Sequence, residues 1–171
     1  VLKETYNVLP RLSYRWVKAN ELLLDAVEID LQQTYTYKNI EGEGHKNIQN
    51  EDLPLSLDFK GVNLDMVALA ENHYNAGLYL LAKENEEKTF YIQHELGEKN
   101  PVLVEKNVIE VEKGGKMTVI MDYSSDEAVS FSNILNKIRV DEGAELNIVK
   151  IQRINSLSRH LESRYSTVAE S

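Results

Sequence analysis

Hydrophobic and polar residues alternate along most of the chain beyond residue 76. A period of two is typical of half-buried β-strands, because successive side chains of a strand point to opposite faces. The runs that show it are short, rich in β-branched and aromatic residues, and separated by glycine, proline, asparagine or charged clusters. They cover residues 78–81, 89–92, 102–104, 108–111 and 116–123. This pattern predicts a mainly β fold over residues 77–171.

Residues 1–76 predict a small helical or irregular region instead. Leu64 and Val67 recur at helical spacing, so we expect a helix over residues 64–73. Residues 39–52 carry glycines, asparagines and scattered charge without a period, which predicts a flexible loop. The expected organisation is therefore an N-terminal region followed by a β core that begins at residue 77.

Two interpretations stay open for residues 20–31. Asn20 can cap a helix in which Leu23 and Val27 share a face. From Val27 to Leu31, however, apolar and polar residues alternate, which favours a strand.

An internal repeat gives the strongest indication of architecture. Residues 107–117 match residues 136–146 column by column, with Gly114 aligned to Gly143 and an offset of 143 − 114 = 29 residues. A strand–glycine–strand unit of this length is typical of one coil of a β-solenoid, in which each coil buries its apolar row against the next. Two similar hairpins in a β-sandwich are the alternative.

The C-terminal end of the repeat predicts an unfinished solenoid. Residues 166–171 arrive about where a third copy should begin, and no glycine or return strand follows them. The last coil would then leave a strand edge and an apolar row uncovered. We expect self-association through residues 157–168, and a core truncated at its C-terminal end.

Composition narrows the classes of function. The 28 acidic and 19 basic residues give a formal charge of 19 − 28 = −9, which opposes binding to nucleic acid. The chain has no cysteine, which excludes disulfides, thiolate nucleophiles and cysteine-held clusters within it. No apolar run approaches the ~18 residues of a membrane span, so a cytoplasmic protein without a membrane partner is expected.

Motifs for catalysis or nucleotide binding are weak. Lys113-Gly114-Gly115-Lys116 lacks the earlier glycine and the following Ser or Thr of a phosphate-binding loop, and a turn between strands explains it. The acidic runs at 84–87 and 141–142 suit solvated turns better than a glycosidase pair. Ser124-Ser125-Asp126 has no nucleophile elbow and no nearby histidine. We therefore expect a protein that is not an enzyme, without catalytic or cofactor-binding residues.

The histidines and tyrosines are the remaining candidates for a site. His45, His73, His94 and His160 are too far apart to form a local metal motif, so a ligand set would require long-range convergence. No metal site is expected. Four of the nine tyrosines lie near Trp16 in the N-terminal third: Tyr6, Tyr14, Tyr35 and Tyr37. They suit either an interface or the half-buried cover of one end of a solenoid.

The N-terminal segment and the repeat together carry a family likeness. Asn7-Val8-Leu9-Pro10-Arg11-Leu12-Ser13-Tyr14-Arg15-Trp16-Val17-Lys18-Ala19-Asn20 resembles the N-x-L-P-x-x-T/S-x-x-W-x-x-x-N opening of short SufD-type proteins. Residues 101–104, 107–121 and 136–152 resemble the early coils of the SufB/SufD core, with its I-x-V-x-x-G-A-x-L phrase. The resemblance implies a helical or irregular N-terminal region followed by a right-handed parallel β-helix, a single-stranded solenoid.

The same resemblance implies a function and partners. SufB, SufC and SufD form a complex that builds iron–sulfur clusters and passes them to recipient proteins, and SufC is its ATPase. Family members contact SufC, pair SufB with SufD and place proposed cluster ligands in regions that this sequence does not reach, so no ligand or contact residue is carried over. The chain is expected to be a non-catalytic scaffold without a cofactor of its own, working with SufB and SufC. A β-solenoid carbohydrate-binding or carbohydrate-active module is the alternative.

Overall fold

The computed structural model of the chain describes residues 5–6, 22–23, 31, 33–48 and 64–169. Strands β1 (Thr5–Tyr6) and β2 (Leu22–Leu23) form an antiparallel pair. Leu22–Leu23 lies inside the candidate helix at residues 20–27, so the helical alternative is wrong for these two residues. The family-like segment at residues 7–20 lies outside the described residues.

The remaining elements follow in chain order with one helix among the described residues. They are β3 (Asn39–Glu41), β4 (Lys46–Asn47), α1 (Leu64–Asn72), β5 (Leu78–Ala82), β6 (Glu87–Leu96), β7 (Val102–Val111), β8 (Lys116–Ser125), β9 (Phe131–Val140), β10 (Glu145–Arg153) and β11 (Arg159–Val168). The helix predicted over residues 64–73 is confirmed with its end one residue earlier. No helix among the described residues is long and apolar enough to cross a membrane.

Two sheets face each other across the apolar core. One has the strand order β10-β8-β6-β3 and the other β11-β9-β7-β5-β4. The chain alternates between them, so β5 and β6, β7 and β8, and β9 and β10 form three successive coils, and β11 begins a further one. All pairs between coils are parallel. The predicted mainly β solenoid is confirmed, with about three turns.

The sequence repeat coincides with the register of the stacked coils. Asn107 of β7 lies opposite Asn136 of β9, and Met117 of β8 lies opposite Leu146 of β10, each pair 29 residues apart. Each copy of the repeat is therefore one coil resting on the next. The β-sandwich alternative is wrong, because its hairpins would pair antiparallel. The step shortens to 28 residues between β9 and β11, where Phe131 lies opposite Arg159.

Strand β7 joins two runs that the sequence pattern separated. Its polar residues at 105–107 interrupt the alternation, yet the strand continues because it is buried on both faces. Helix α1 covers the outer face, where Met66 and Ala70 pack with Val104 of β7 and Phe131 of β9.

The first coil is capped by antiparallel strands, which corrects the predicted loop at residues 39–52. Strand β3 pairs with β6, and β4 pairs with β5. The turn between β3 and β4 contains Gly42 and Gly44, both with positive φ. Strands of two or three residues are too short to show a period, so the sequence pattern does not distinguish residues 39–41 and 46–47 from loop. Residues 49–52 lie outside the described residues.

Candidate functional site

A column of polar and aromatic side chains runs through the apolar interior of the solenoid. We call it the polar column; its members share inward positions of successive coils or the cap, and they are Tyr37, His94, Glu105, Tyr123, Lys150, His160 and Glu162. Tyr37 precedes β3, and the others come from β6, β7, β8, β10 and β11. Groups of this kind are stable inside a core only when they are paired.

Glu105 is the centre of the column at its capped end. Its side chain and that of His94 are both 0% exposed. The carboxyl oxygen Oε1 lies 2.8 Å from the Tyr37 hydroxyl and 3.1 Å from His94 Nε2. Burial opposes ionisation, but the charge and hydrogen bond of His94, with bonds from Tyr37 and Asn107, lower the pKa of Glu105. The carboxyl is therefore ionised at neutral pH.

The two tyrosines beside Glu105 stay neutral. Burial, and then the negative charge of Glu105, raise the pKa of Tyr37 and of Tyr123 well above the ordinary value. The Tyr123 hydroxyl lies 3.5 Å from Glu105 Oε2. Both hydroxyls consequently act as hydrogen-bond donors to a carboxylate rather than as acids.

Stacked rings connect this end of the column to the other. The His94 and Tyr123 rings are 4.2 Å apart and inclined by only 16°. The Tyr123 and His160 rings meet edge to face at 5.0 Å. Because His94 and Tyr123 are opposite each other in the β6–β8 ladder, their stacking follows directly from the coil register.

The other end of the column is a chain of hydrogen bonds around His160. Lys150 Nζ lies 2.6 Å from His160 Nε2 and 2.7 Å from Glu162 Oε2, and Ser132 Oγ lies 2.7 Å from His160 Nδ1. An ammonium has only donors, so Nε2 accepts from Lys150 and the ring proton sits on Nδ1, where it donates to Ser132. Burial, and then the charge of Lys150, lower the pKa of His160 to about 4. The His160 side chain is therefore neutral at neutral pH.

This proton arrangement argues against a serine nucleophile. A catalytic histidine must accept the hydroxyl proton, whereas His160 donates to Ser132. Ser132 is also fully buried. The close Ser132–His160 contact is therefore a structural hydrogen bond between β9 and β11.

Two asparagines tie the coils together beside the column. Asn107 Oδ1 accepts from the backbone N–H of Leu78, and its amide donates to Asn136 Oδ1 at 3.0 Å. The Asn136 amide donates to Glu162 Oε1 at 3.0 Å. Such a ladder satisfies buried amides from one coil to the next and fixes their register.

The four histidines separate into two classes. His94 and His160 converge on Tyr123, while His45 lies in the turn between β3 and β4 and His73 follows α1. Among the described residues, no three His, Cys, Asp or Glu side chains are grouped to hold a metal. His94 Nδ1 is buried without a hydrogen-bond partner in the described part of the chain. The 29-residue repeat is a sequence signal for the stacking of His94 on Tyr123, because 94 + 29 = 123, but it gives no signal for His160.

The tyrosines that the structure describes form part of the interior cover. Tyr35 is buried and Tyr37 half-buried, with their rings edge to face at 5.6 Å. Tyr37 and His94 rings are 5.3 Å apart. The packing of Tyr35 and Tyr37 agrees with the interpretation that these tyrosines cover one end of the solenoid. The side chains of Tyr6 and Tyr14 lie outside the described residues.

The other candidate motifs occupy corners of the coils. Gly114 and Gly115 form the turn between β7 and β8, as predicted. Residues 84–86 and 141–142 are turn positions between strands, and Ser124 and Ser125 end β8.

In the part of the chain that the structure describes, the outward row that begins at Tyr91 is not the aromatic or basic row that a carbohydrate module would need. Tyr91 of β6 lies opposite Ile120 of β8, which lies opposite Val149 of β10. The outward row that begins with the Tyr91 ring therefore continues with the aliphatic side chains of Ile120 and Val149.

Comparison with known proteins finds a match to one family model. Residues 90–171 match the family model described as SUF system FeS cluster assembly, SufBD core domain. The matched residues contain most of β6 and all of β7 to β11, which are the stacked coils that enclose the polar column. No curated protein and no solved structure matches the chain significantly. With this match and a β-solenoid of the same residues, residues 90–171 belong to the SufBD core domain family of the SUF iron–sulfur cluster assembly system.

Proposed function

We propose that the chain is a non-catalytic scaffold subunit of a SUF complex of the SufBCD type, closest within its family to SufD. The observation that carries this proposal is the family match over residues 90–171, which gives a role in SUF iron–sulfur cluster assembly. The opening motif at residues 7–20 supports SufD over SufB.

The geometry of the interior supports an architectural role. Glu105, His94 and Lys150 are the groups best suited to acid–base chemistry, and each is engaged within the core. A general base must reach the proton that it removes from a substrate, and Glu105 and His94 have no exposed side-chain surface. These 171 residues contain no cysteine, so thiolate ligands for a cluster would come from another part of the complex.

The proposed partners are SufB and SufC, in the cytoplasm. A stack of parallel coils offers rigid surfaces at fixed spacing, which suits a subunit that positions others. ATP-driven movement would arise in SufC. Two copies of this chain could also associate through the edge of β11, because that strand pairs with β9 alone in the described part of the chain.

Affinity purification of the tagged full-length gene product from its native cells tests the proposal. We expect SufB and SufC to co-purify in amounts comparable to the bait, and to be absent when the tag alone is expressed. Recovery of the bait by itself at near-physiological salt would contradict the scaffold role while leaving the family assignment intact.

A further inference from the structure

Strand β11 is held to the solenoid by few buried groups. Its backbone pairs with β9 over Arg159 to Val168, and Leu161 packs against the cluster that includes Met66 of α1. Most of its other residues are half-buried or exposed. An edge strand of this kind opens more readily than a central one.

The inward side of β11 is fixed by His160 and Glu162. His160 contacts Ser132 of β9 and Lys150 of β10 at 2.7 and 2.6 Å. Glu162 accepts from Lys150 at 2.7 Å and from Asn136 at 3.0 Å. Lys150 therefore joins β10 to His160 and Glu162 of β11.

Only a neutral His160 fits this arrangement. The Lys150 ammonium has no acceptor to offer, so a proton on His160 Nε2 would place two cationic donors 2.6 Å apart. The nearest carboxylate, Glu162, already binds Lys150 and Arg164. The other titratable groups that face His160 are Tyr123 of β8, His94 of β6 and Glu105 of β7.

We propose that His160 is a proton-sensitive latch: when its imidazole takes up a proton, the contact with Lys150 is lost and β11 separates from β9 and β10. Opening exposes the edge of β9, which is otherwise buried between β7 and β11. The latch is a property of the fold and is independent of the assembly role.

The direction of the pH dependence follows from the two states of the histidine. In the closed state burial and Lys150 lower the pKa of His160 to about 4, whereas a free histidine has a pKa of about 6.5. The open state therefore binds the proton more tightly. The contribution of His160 to the stability of the closed state is fully present above the free value, and the opening equilibrium rises by up to tenfold per pH unit as the pH falls from about 6.5 towards about 4.

Hydrogen exchange followed by mass spectrometry measures this opening. Labelling times are scaled for the intrinsic pH dependence of exchange, and peptides from β11 and β9 are compared with peptides from β6 to β8. In the unaltered protein we expect β11 to lose protection by roughly tenfold per pH unit below 6.5. In His160→Gln, whose amide oxygen can still accept from Lys150 but takes up no proton, β11 should lack this slope. His73→Gln, at the exposed end of α1, should keep it.

Two results would overturn the latch. One is an unchanged slope in His160→Gln, which would assign the opening to carboxylates such as Glu162. The other is a parallel loss of protection in β6 to β8, which would mean global unfolding. Nitrogen-15 spectra of the unaltered protein give an answer that requires no variant: at pH 7 His160 should carry its proton on Nδ1, and a proton on Nε2 would contradict the proposal.

Discussion

Glu105 shows how a single residue can shape the interior of this solenoid. Its ionised carboxyl binds Tyr37 and His94 in a region that is otherwise apolar. A buried charge of this kind contributes little net stability, yet Tyr37 and His94 lose this acceptor when it is removed. Truncating Glu105 should therefore cost more stability than the paired carboxylate contributes.

We predict that Glu105→Ala lowers the free energy of unfolding by about 3 kcal/mol, because it leaves buried donors on Tyr37 and His94 unpaired. Glu105→Gln keeps the shape and one acceptor and should lose less. Urea denaturation measures the free energy of unfolding of both variants. Glu98→Ala, at an exposed corner position, is the control and should change stability by no more than about 0.5 kcal/mol. Equal losses in Glu105→Ala and Glu98→Ala would show that the pairing does not matter.

At the scale of elements, the turn after the first strand of each coil requires a left-handed residue. Gly114 has φ of +68° and Gly143 of +66°. In the first coil the equivalent position, 114 − 29 = 85, is Asn85 with φ of +57°. Asparagine is among the few non-glycine residues that tolerate this conformation. The repeat therefore has an earlier copy in the first coil, where asparagine replaces the turn glycine.

The stacked turns give a matched pair of substitutions. Gly143→Ala places its Cβ in open space, so only the left-handed backbone penalty of about 1 kcal/mol applies. Gly114→Ala places its Cβ 2.5 Å from Asn85 Oδ1, so it should cost more. The double variant Asn85→Gly with Gly114→Ala should bring the loss back towards that of Gly143→Ala. Thermal unfolding measures the stability of the three variants. A Gly114→Ala loss no larger than that of Gly143→Ala would contradict the prediction, because the Asn85 side chain would then move aside without cost.

For the whole molecule, each coil is stabilised mainly by its neighbours, so the two ends of the stack differ. Strands β3 and β4 close the first coil by antiparallel pairing. At the other end, β10 and β11 each have one partner strand among the described residues. Exposed strand edges pair with further strands unless charge or a cap prevents it.

We therefore expect concentration-dependent self-association in light scattering, through residues 157–168. Leu157 and Val168 are 58% and 70% exposed, and replacing both with lysine should shift the protein towards the monomer. Val129→Lys, at a turn position that is 60% exposed, should leave association unchanged. A protein that stays monomeric at high concentration would contradict this prediction.

The parts of the fold that depend on local pattern can be predicted from the amino-acid sequence alone. The period of two gave the strands of the coils, and the 29-residue offset gave their stacking, because a strand turns its side chains alternately and a repeat must bury the same positions each time. The solenoid and the turn at Gly114 could be predicted for this reason. The domain division at residue 76 remains a prediction.

Which polar residues meet inside the solenoid depends on how the coils pack. His94 and His160 are 66 residues apart, and their convergence on Tyr123 depends on three coils lying in register. Strand β7 shows no continuous alternation because Glu105 and Asn107 are polar. His94 of the opposite sheet pairs with Glu105, and Asn136 of the neighbouring strand β9 pairs with Asn107, so both can be buried. Burial and pairing are properties of the packed molecule, so no local pattern could reveal the polar column.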